Sequence, residues 1–189
     1  MRIAILGWGS LIWDRRDLML AGPFRPTGPS LPLEFSRVSL DRRLTLVIDE
    51  DRGTPCATYA APSIHTDLDQ AIDNLRLREG MPGSEGVGFI DTQGHTRNDT
   101  AWQRHPRALA TIQTWATRNG YRSVIWTALA SNFHEPDMAG VPFSVEAAMA
   151  YLAALDDERL GTALRYFRNA PPEIRTALRT AVDQRWPRD

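Results

Sequence analysis

The chain has 189 residues, 42% of them apolar and 24% charged, which suits one well-packed globular domain, 1–189, and is short for two. Its net charge is −1 with both signs mixed along the length, so it lacks the clustered positive surface that nucleic acid or an anionic membrane requires. Every basic residue is arginine, and Cys56 is the only cysteine, which rules out an intrachain disulfide and makes a reducing compartment the expectation.

In chain order, the apolar run at 3–6 opens a strand at 2–7. It breaks at Gly7, Gly9 and Asp14, too early for a signal-peptide core, and no 18-residue apolar span follows, so a cytoplasmic location is expected. Further strands are predicted at 32–38, 43–49, 55–61, 86–90 and 122–129, with proline- and glycine-rich loops at 22–32 and 80–83. A helix is predicted at 67–79, with Thr66 and Asp69 as a capping box, Leu68, Ala71, Ile72 and Leu75 on one face, and Gly80 as its stop. A second helix fits 106–118, with Leu109, Ile112 and Ala116 inward and Gly120 behind it. From Ser144 onward the pattern is helical, with a restart at Pro171-Pro172. Strands interrupted by two helices and closed by a helical C-terminal third make a mixed α+β chain.

The stretch Gly7-Trp8-Gly9-Ser10 ends the first strand in a turn that leaves backbone N–H groups exposed to a ligand. A dinucleotide fingerprint needs a third glycine where Ile12 stands, and a Walker loop needs a lysine. His65, His95, His105 and His134 occur singly, without metal-ligand spacing, so no metal is expected and they read as solvent-facing or locally bonded. Cys56 sits in a strand as a small buried hydrophobe. Asn98-Asp99-Thr100 is a formal glycosylation sequon without consequence inside a cell.

Glu79 closes the 67–79 helix beside Arg78. There it faces the negative end of the helix dipole, at a cost of several tenths of a kcal/mol. Such a placement strengthens a carboxylate's hold on a proton, as a general base near neutral pH requires. The competing reading is a solvated surface glutamate neutralised by Arg78. Glu85, before the strand at 86–90, is the rival carboxylate and carries the same two readings.

Gly7-Trp8-Gly9-Ser10-Leu11-Ile12-Trp13 resembles the G-Y-G-S-L-I-W signature of the γ-glutamylcyclotransferase-like superfamily, closest to its ChaC-type branch. Asp51-Arg52-Gly53-Thr54-Pro55 resembles that branch's H-R-G-T-P, and Leu77-Arg78-Glu79 its R-E segment. The resemblance covers about the first half of the chain. It implies a mixed β-sheet or small β-barrel flanked by helices, no cofactor, and a small γ-glutamyl compound as partner. It also implies a substrate-holding loop at Gly7, Trp8, Gly9, Ser10 and Leu11, with Glu79 as the proton shuttle. Trp8 stands where the signature has tyrosine, and Asp51 where it has histidine.

The implied reaction releases 5-oxoproline and a free amine when the substrate's α-amine attacks its own γ-carbonyl. It needs a folded substrate, a base and an oxyanion site, and no enzyme nucleophile. Arg37 and Arg52 are the alternatives for holding the substrate carboxylate. Two other readings stand beside it: a non-catalytic module of the same fold that binds a metabolite or protein, with Trp8 and Trp13 as contact surface, and a cyclising or amine-transfer variant acting on another acyl compound.

Overall fold

A computed structural model describes residues 2–92 and 99–187; His95 and Asn98 fall outside them. The architecture is α+β, with two β-sheets and six helices among the described residues. The chain divides into two compact units, Met1–Leu31 with Ala57–Leu129, and Pro32–Cys56 with Ala130–Asp189.

The first unit is built on a four-stranded sheet in the order β5-β1-β7-β6, where β1 is Ile3–Gly7, β5 Tyr59–Pro62, β6 Val87–Asp91 and β7 Ser123–Thr127. β1 runs parallel to β7, with Ile5 beside Ile125, and the outer pairs are antiparallel. Every residue of β1 is buried, as befits a central strand covered on both faces. Ile3, Ile5, Val87 and Ile125 pack with Ala71, Ile72 and Leu75 of helix α1 (Leu68–Glu79). The alternate residues Ala4, Leu6, Val124 and Trp126 are equally buried, and helix α3 (Pro106–Arg118), whose Ala108, Leu109, Ile112 and Ala116 are buried, packs against β7. Trp126 lies over its cross-strand partner Gly88, so closely that a β-carbon on Gly88 would stand 2.4 Å from the indole.

Of the expected mixed sheet or small barrel, the described residues form open sheets, and neither closes. The outer edge of β5 is occupied instead by isolated bridges, Leu20 to Ser63 and Arg25 to Ala60, so no edge remains there for β6 to join.

The second unit carries a three-stranded sheet, β3-β2-β4, with β2 at Ser30–Val38, β3 at Leu44–Ile48 and β4 at Thr54–Ala57. A one-residue register shift between Glu34 and Arg37 bulges β2, and Leu33, Glu34, Phe35 and Ser36 are all buried. Helices α4 (Val145–Ala153), α5 (Asp157–Asn169) and α6 (Ala177–Arg185) form the helical C-terminal third. Phe35 stacks on Phe167 of α5 with centroids 4.0 Å apart, and the Asn132 side chain bonds both the N–H and the C=O of Val38.

Several local expectations are corrected. Asp67, not Thr66, caps α1, accepting from the Gln70 N–H at 3.0 Å. The expected strand 55–61 is two strands in different sheets, broken at Thr58, whose hydroxyl donates to the Pro29 carbonyl. The restart at Pro171-Pro172 is a turn, because the carbonyls of Ala170, Pro171 and Ile174 all accept from the Arg179 guanidinium, and the helix begins only after the Thr176 cap. Helix α2, Asp99–Arg104, is too short for a periodicity to reveal it.

Glu34 is an almost fully buried carboxyl, accepting from the N–H groups of Phe35 (2.8 Å) and Leu178 (3.4 Å). Burial pushes its pKa up, Asp49 adds to the rise, and hydrogen bonds from Thr176, Phe35 and Leu178 oppose it. A folded-state pKa above the unfolded one means that Glu34's contribution is fully present below the unfolded value and is lost as pH rises through the folded value. Glu34→Gln removes the titrating charge and keeps an acceptor oxygen for one of the two amides. Its melting temperature relative to wild type therefore rises steadily from acid to neutral pH in thermal denaturation, whereas a pH-independent difference would contradict this account. Gly88→Ala forces the β-carbon into the Trp126 ring and costs about 1–3 kcal/mol in urea denaturation; a neutral substitution would show that the indole can move aside.

Candidate functional site

β1 and β7 are parallel, so the loop following β1 emerges at their carboxyl ends, the place where α/β sheets leave a ligand crevice. Gly7 ends the strand, and its missing β-carbon leaves room for the Phe24 ring, which lies 3.1 Å from where that atom would be. Trp8 is buried, Trp13 half-buried and Leu11 buried, so this apolar side of the loop anchors it to the unit.

The loop turns back on its own carbonyls, with Ile12 N–H donating to Gly9 (3.0 Å) and Asp14 N–H to Ser10 (2.8 Å). Those bonds leave the preceding donors unused: among the described residues nothing accepts from the N–H groups of Gly9, Ser10 or Leu11. Successive unengaged backbone donors form a concavity for a negatively charged or carbonyl oxygen.

α1 approaches this loop with its last turn. Its buried stripe, Ala71, Ile72 and Leu75, continues into Arg78, and Gly80 stops the helix in the left-handed conformation at φ 66°. Arg78 is thus carried inward, its side chain only 3% exposed. One guanidinium nitrogen, Nη1, donates to Glu79 Oε1 at 2.6 Å. The other, Nη2, donates to Ser10 Oγ at 3.3 Å and to the Asp14 carbonyl. Its Nε–H has no partner among the described residues. Ser10 accepts from Arg78, so its own proton is free to donate. Glu79 keeps a 19% exposed side chain and so stays within reach of a ligand.

No family model, curated protein or solved structure matches the chain.

Of the residues singled out in the sequence, Gly7, Trp8, Gly9, Ser10, Leu11 and Glu79 are brought together in the first unit, and Arg78 is the link between loop and carboxylate. In the sequence Arg78 enters as part of the R-E resemblance and as a neighbour neutralising Glu79, with no role as a link to the loop. The available signal was its position: an arginine three residues after Leu75 falls on the apolar stripe of the helix, where a cation has to find partners. Glu85 is exposed on the short 3-10 turn Ser84–Gly86, its carboxylate folded back toward Gly83.

Arg37 and Arg52 belong to the second unit. Arg37 donates to the Ala130 carbonyl at 2.7 Å, and Arg52 is exposed. The Asp51–Pro55 stretch folds as a turn on Asp49, whose carboxylate accepts from the N–H groups of Asp51 and Arg52. Gly53 packs so tightly on Pro32 and Asp49 that a β-carbon would meet backbone at 2.4 Å. Cys56 is buried, and burial pushes its thiol pKa up, away from the reactive thiolate. His105 is buried at the start of α3, whereas His134 is exposed. Among the described residues no three His, Cys, Asp or Glu side chains gather as metal ligands, and no helix is long and apolar enough to cross a membrane. An open cleft of about 450 Å³ along α3, between Trp115 and Pro29, contains neither Glu79 nor the loop.

Removing the guanidinium separates its partners. Arg78→Gln lowers stability by about 1.5–3 kcal/mol, the usual range for hydrogen bonds to a charged group, and speeds amide exchange at Ile12 and Asp14. Unchanged exchange at those two amides would show that the loop holds its form without Arg78.

Proposed function

We infer that the chain is a γ-glutamylcyclotransferase-type enzyme, with the fold of that superfamily, that releases 5-oxoproline and a free amine from a small γ-glutamyl amide, peptide or γ-glutamylamine. The observation that carries this reading is the hydrogen-bond chain from Glu79 through Arg78 to Ser10. It sets a reachable carboxylate beside a loop with unengaged amide donors. The sequence resemblance at Gly7–Trp13 and Leu77–Glu79 supports the same assignment.

Glu79 takes a proton from the substrate's α-ammonium. The freed amine nitrogen attacks the γ-carbonyl carbon, forming the five-membered ring and pushing the carbonyl electrons onto oxygen. The N–H groups of Gly9, Ser10 and Leu11 stabilise that oxyanion. As it collapses, the bond to the departing nitrogen breaks and Glu79 returns the first proton to that nitrogen. The ring nitrogen then gives up its second proton through Glu79, so 5-oxoproline is left with one N–H and the amine departs as an ammonium. Attack within one molecule needs no enzyme nucleophile, and holding the chain folded contributes roughly 7–11 kcal/mol.

The test is 5-oxoproline release from a panel of γ-glutamyl compounds. Glu79→Gln keeps the size and an acceptor for Arg78 but cannot shuttle a proton, so kcat falls roughly 100-fold or more while KM changes little. Undiminished turnover by Glu79→Gln overturns the role of this residue. Binding of γ-glutamyl compounds to wild type without any turnover would assign the same groups to a non-catalytic metabolite-binding module.

A further inference from the structure

One buried hydroxyl of the first unit, at the carboxyl end of β7, has no use in the proposed chemistry. Thr127 is the last residue of β7, opposite Val87 of β6. Its Oγ1 is shielded from solvent and has no hydrogen-bond partner among the described residues. Side chains two apart along a strand share a face, and Ile125 packs under α1 with Leu75, Ile5 and Val87. Thr127 therefore occupies the next position on the α1 face. It lies one step nearer the carboxyl end of the parallel pair, as Gly7 does along β1 after Ile5. Arg78 and the loop that begins at Gly7 occupy that same end.

Two donors on this face are thus unengaged, the Thr127 hydroxyl and the Arg78 Nε–H. Buried polar groups without partners are costly, and folded proteins retain few of them. A planar carboxylate has two acceptor oxygens, and a guanidinium N–H together with a hydroxyl is a donor set it accepts well.

We propose that Thr127, together with Arg78, forms the subsite for a free carboxylate of the ligand, which makes Thr127 a specificity-determining residue. Resting on the cyclotransferase reading, the bound group is the α-carboxylate of the γ-glutamyl moiety. Compounds whose α-carboxyl is amidated are then discriminated against. The Arg78 cation supplies the charge, and Thr127 fixes the orientation in which the α-amine faces the γ-carbonyl.

The experiment compares wild type, Thr127→Val and Thr127→Ser in thermal-shift titrations with L-glutamate and with its α-amide, and in 5-oxoproline assays on γ-glutamyl compounds. Thr127→Val keeps the side-chain shape and removes only the hydroxyl. It is expected to need roughly tenfold more L-glutamate for the same protection and to raise KM by a similar factor, while Thr127→Ser stays close to wild type. Without ligand, Thr127→Val melts no lower than wild type, because the lost hydroxyl has no protein partner. The α-amide protects wild type weakly and Thr127→Val no worse. L-Glutamate protection that is absent in wild type, or unchanged in Thr127→Val, overturns the subsite. Protection that depends on Thr127 with no 5-oxoproline released keeps the subsite and overturns the reaction. Turnover with an unaltered KM in Thr127→Val does the reverse.

Discussion

The candidate site depends on one buried cation. A guanidinium withdrawn from water must replace its hydration with fixed acceptors, or its charge becomes prohibitive. Arg78 finds Glu79, Ser10 and the Asp14 carbonyl, contributed by the end of a helix and the loop after the first strand. Satisfying the charge therefore also pins the loop, and this keeps Gly9, Ser10 and Leu11 in a turn that uses their carbonyl side and leaves their N–H side open. Glu79, otherwise unfavourably placed at the negative end of α1, gains a cation at 2.6 Å. A single side chain thus reconciles the helix terminus, the loop and the carboxylate.

Arg78 and Arg179 satisfy their buried charges in different ways. Both arginines are buried. Arg179 donates to the carbonyls of Ala170, Pro171 and Ile174, which close the turn before α6, and its Nε lies 3.9 Å from Asp183. Its fork is occupied by carbonyls of its own turn, the signature of a structural cation. Arg78 keeps an unengaged Nε–H beside a reachable carboxylate and unengaged amides. Glu34 in the second unit is the acidic counterpart: it accepts from two backbone amides, and its pKa is pushed up by burial rather than lowered by an ion pair.

The elements legible in the sequence were those in which period and punctuation coincide. Strands β1, β2, β3, β6 and β7 follow continuous or alternating apolar runs, and α1, α3 and α4 follow a helical stripe with Gly80, Gly120 or Ser144 at an end. The run at 55–61 misled because Thr58 breaks it by a hydrogen bond to Pro29, a partner 29 residues away that no local pattern encodes. The closed barrel failed for a similar reason, since the edge of β5 is covered by non-strand residues around Leu20 and Arg25. Within the candidate site, the loop and Glu79 were legible as motifs. Arg78 was hidden by its type, because an arginine at a helix C-terminus reads first as a surface complement to the dipole. Thr127 of the proposed subsite is invisible at that level, since its unpartnered hydroxyl is a property of the folded chain alone.

The two departures from the γ-glutamylcyclotransferase-like pattern fall in different units. Trp8 is 4% exposed, so the large ring that replaces the signature tyrosine fills the interior behind the loop instead of crowding its mouth. A tyrosine buried at that position would need a partner for its hydroxyl, whereas tryptophan presents a single N–H and a larger apolar body. The substitution therefore acts on how firmly the loop is anchored. Asp51, in place of the pattern's histidine, lies exposed on the turn organised by Asp49 and Gly53 in the second unit. Trp8 adjoins Gly9 and Ser10 in the chain and so bears on their amides. It does so by packing, because a loop held from behind by a buried indole and in front by Arg78 has little freedom to collapse onto its own donors. In the proposed reaction such a loop costs little to order when the oxyanion forms, which is the condition for electrostatic preorganisation.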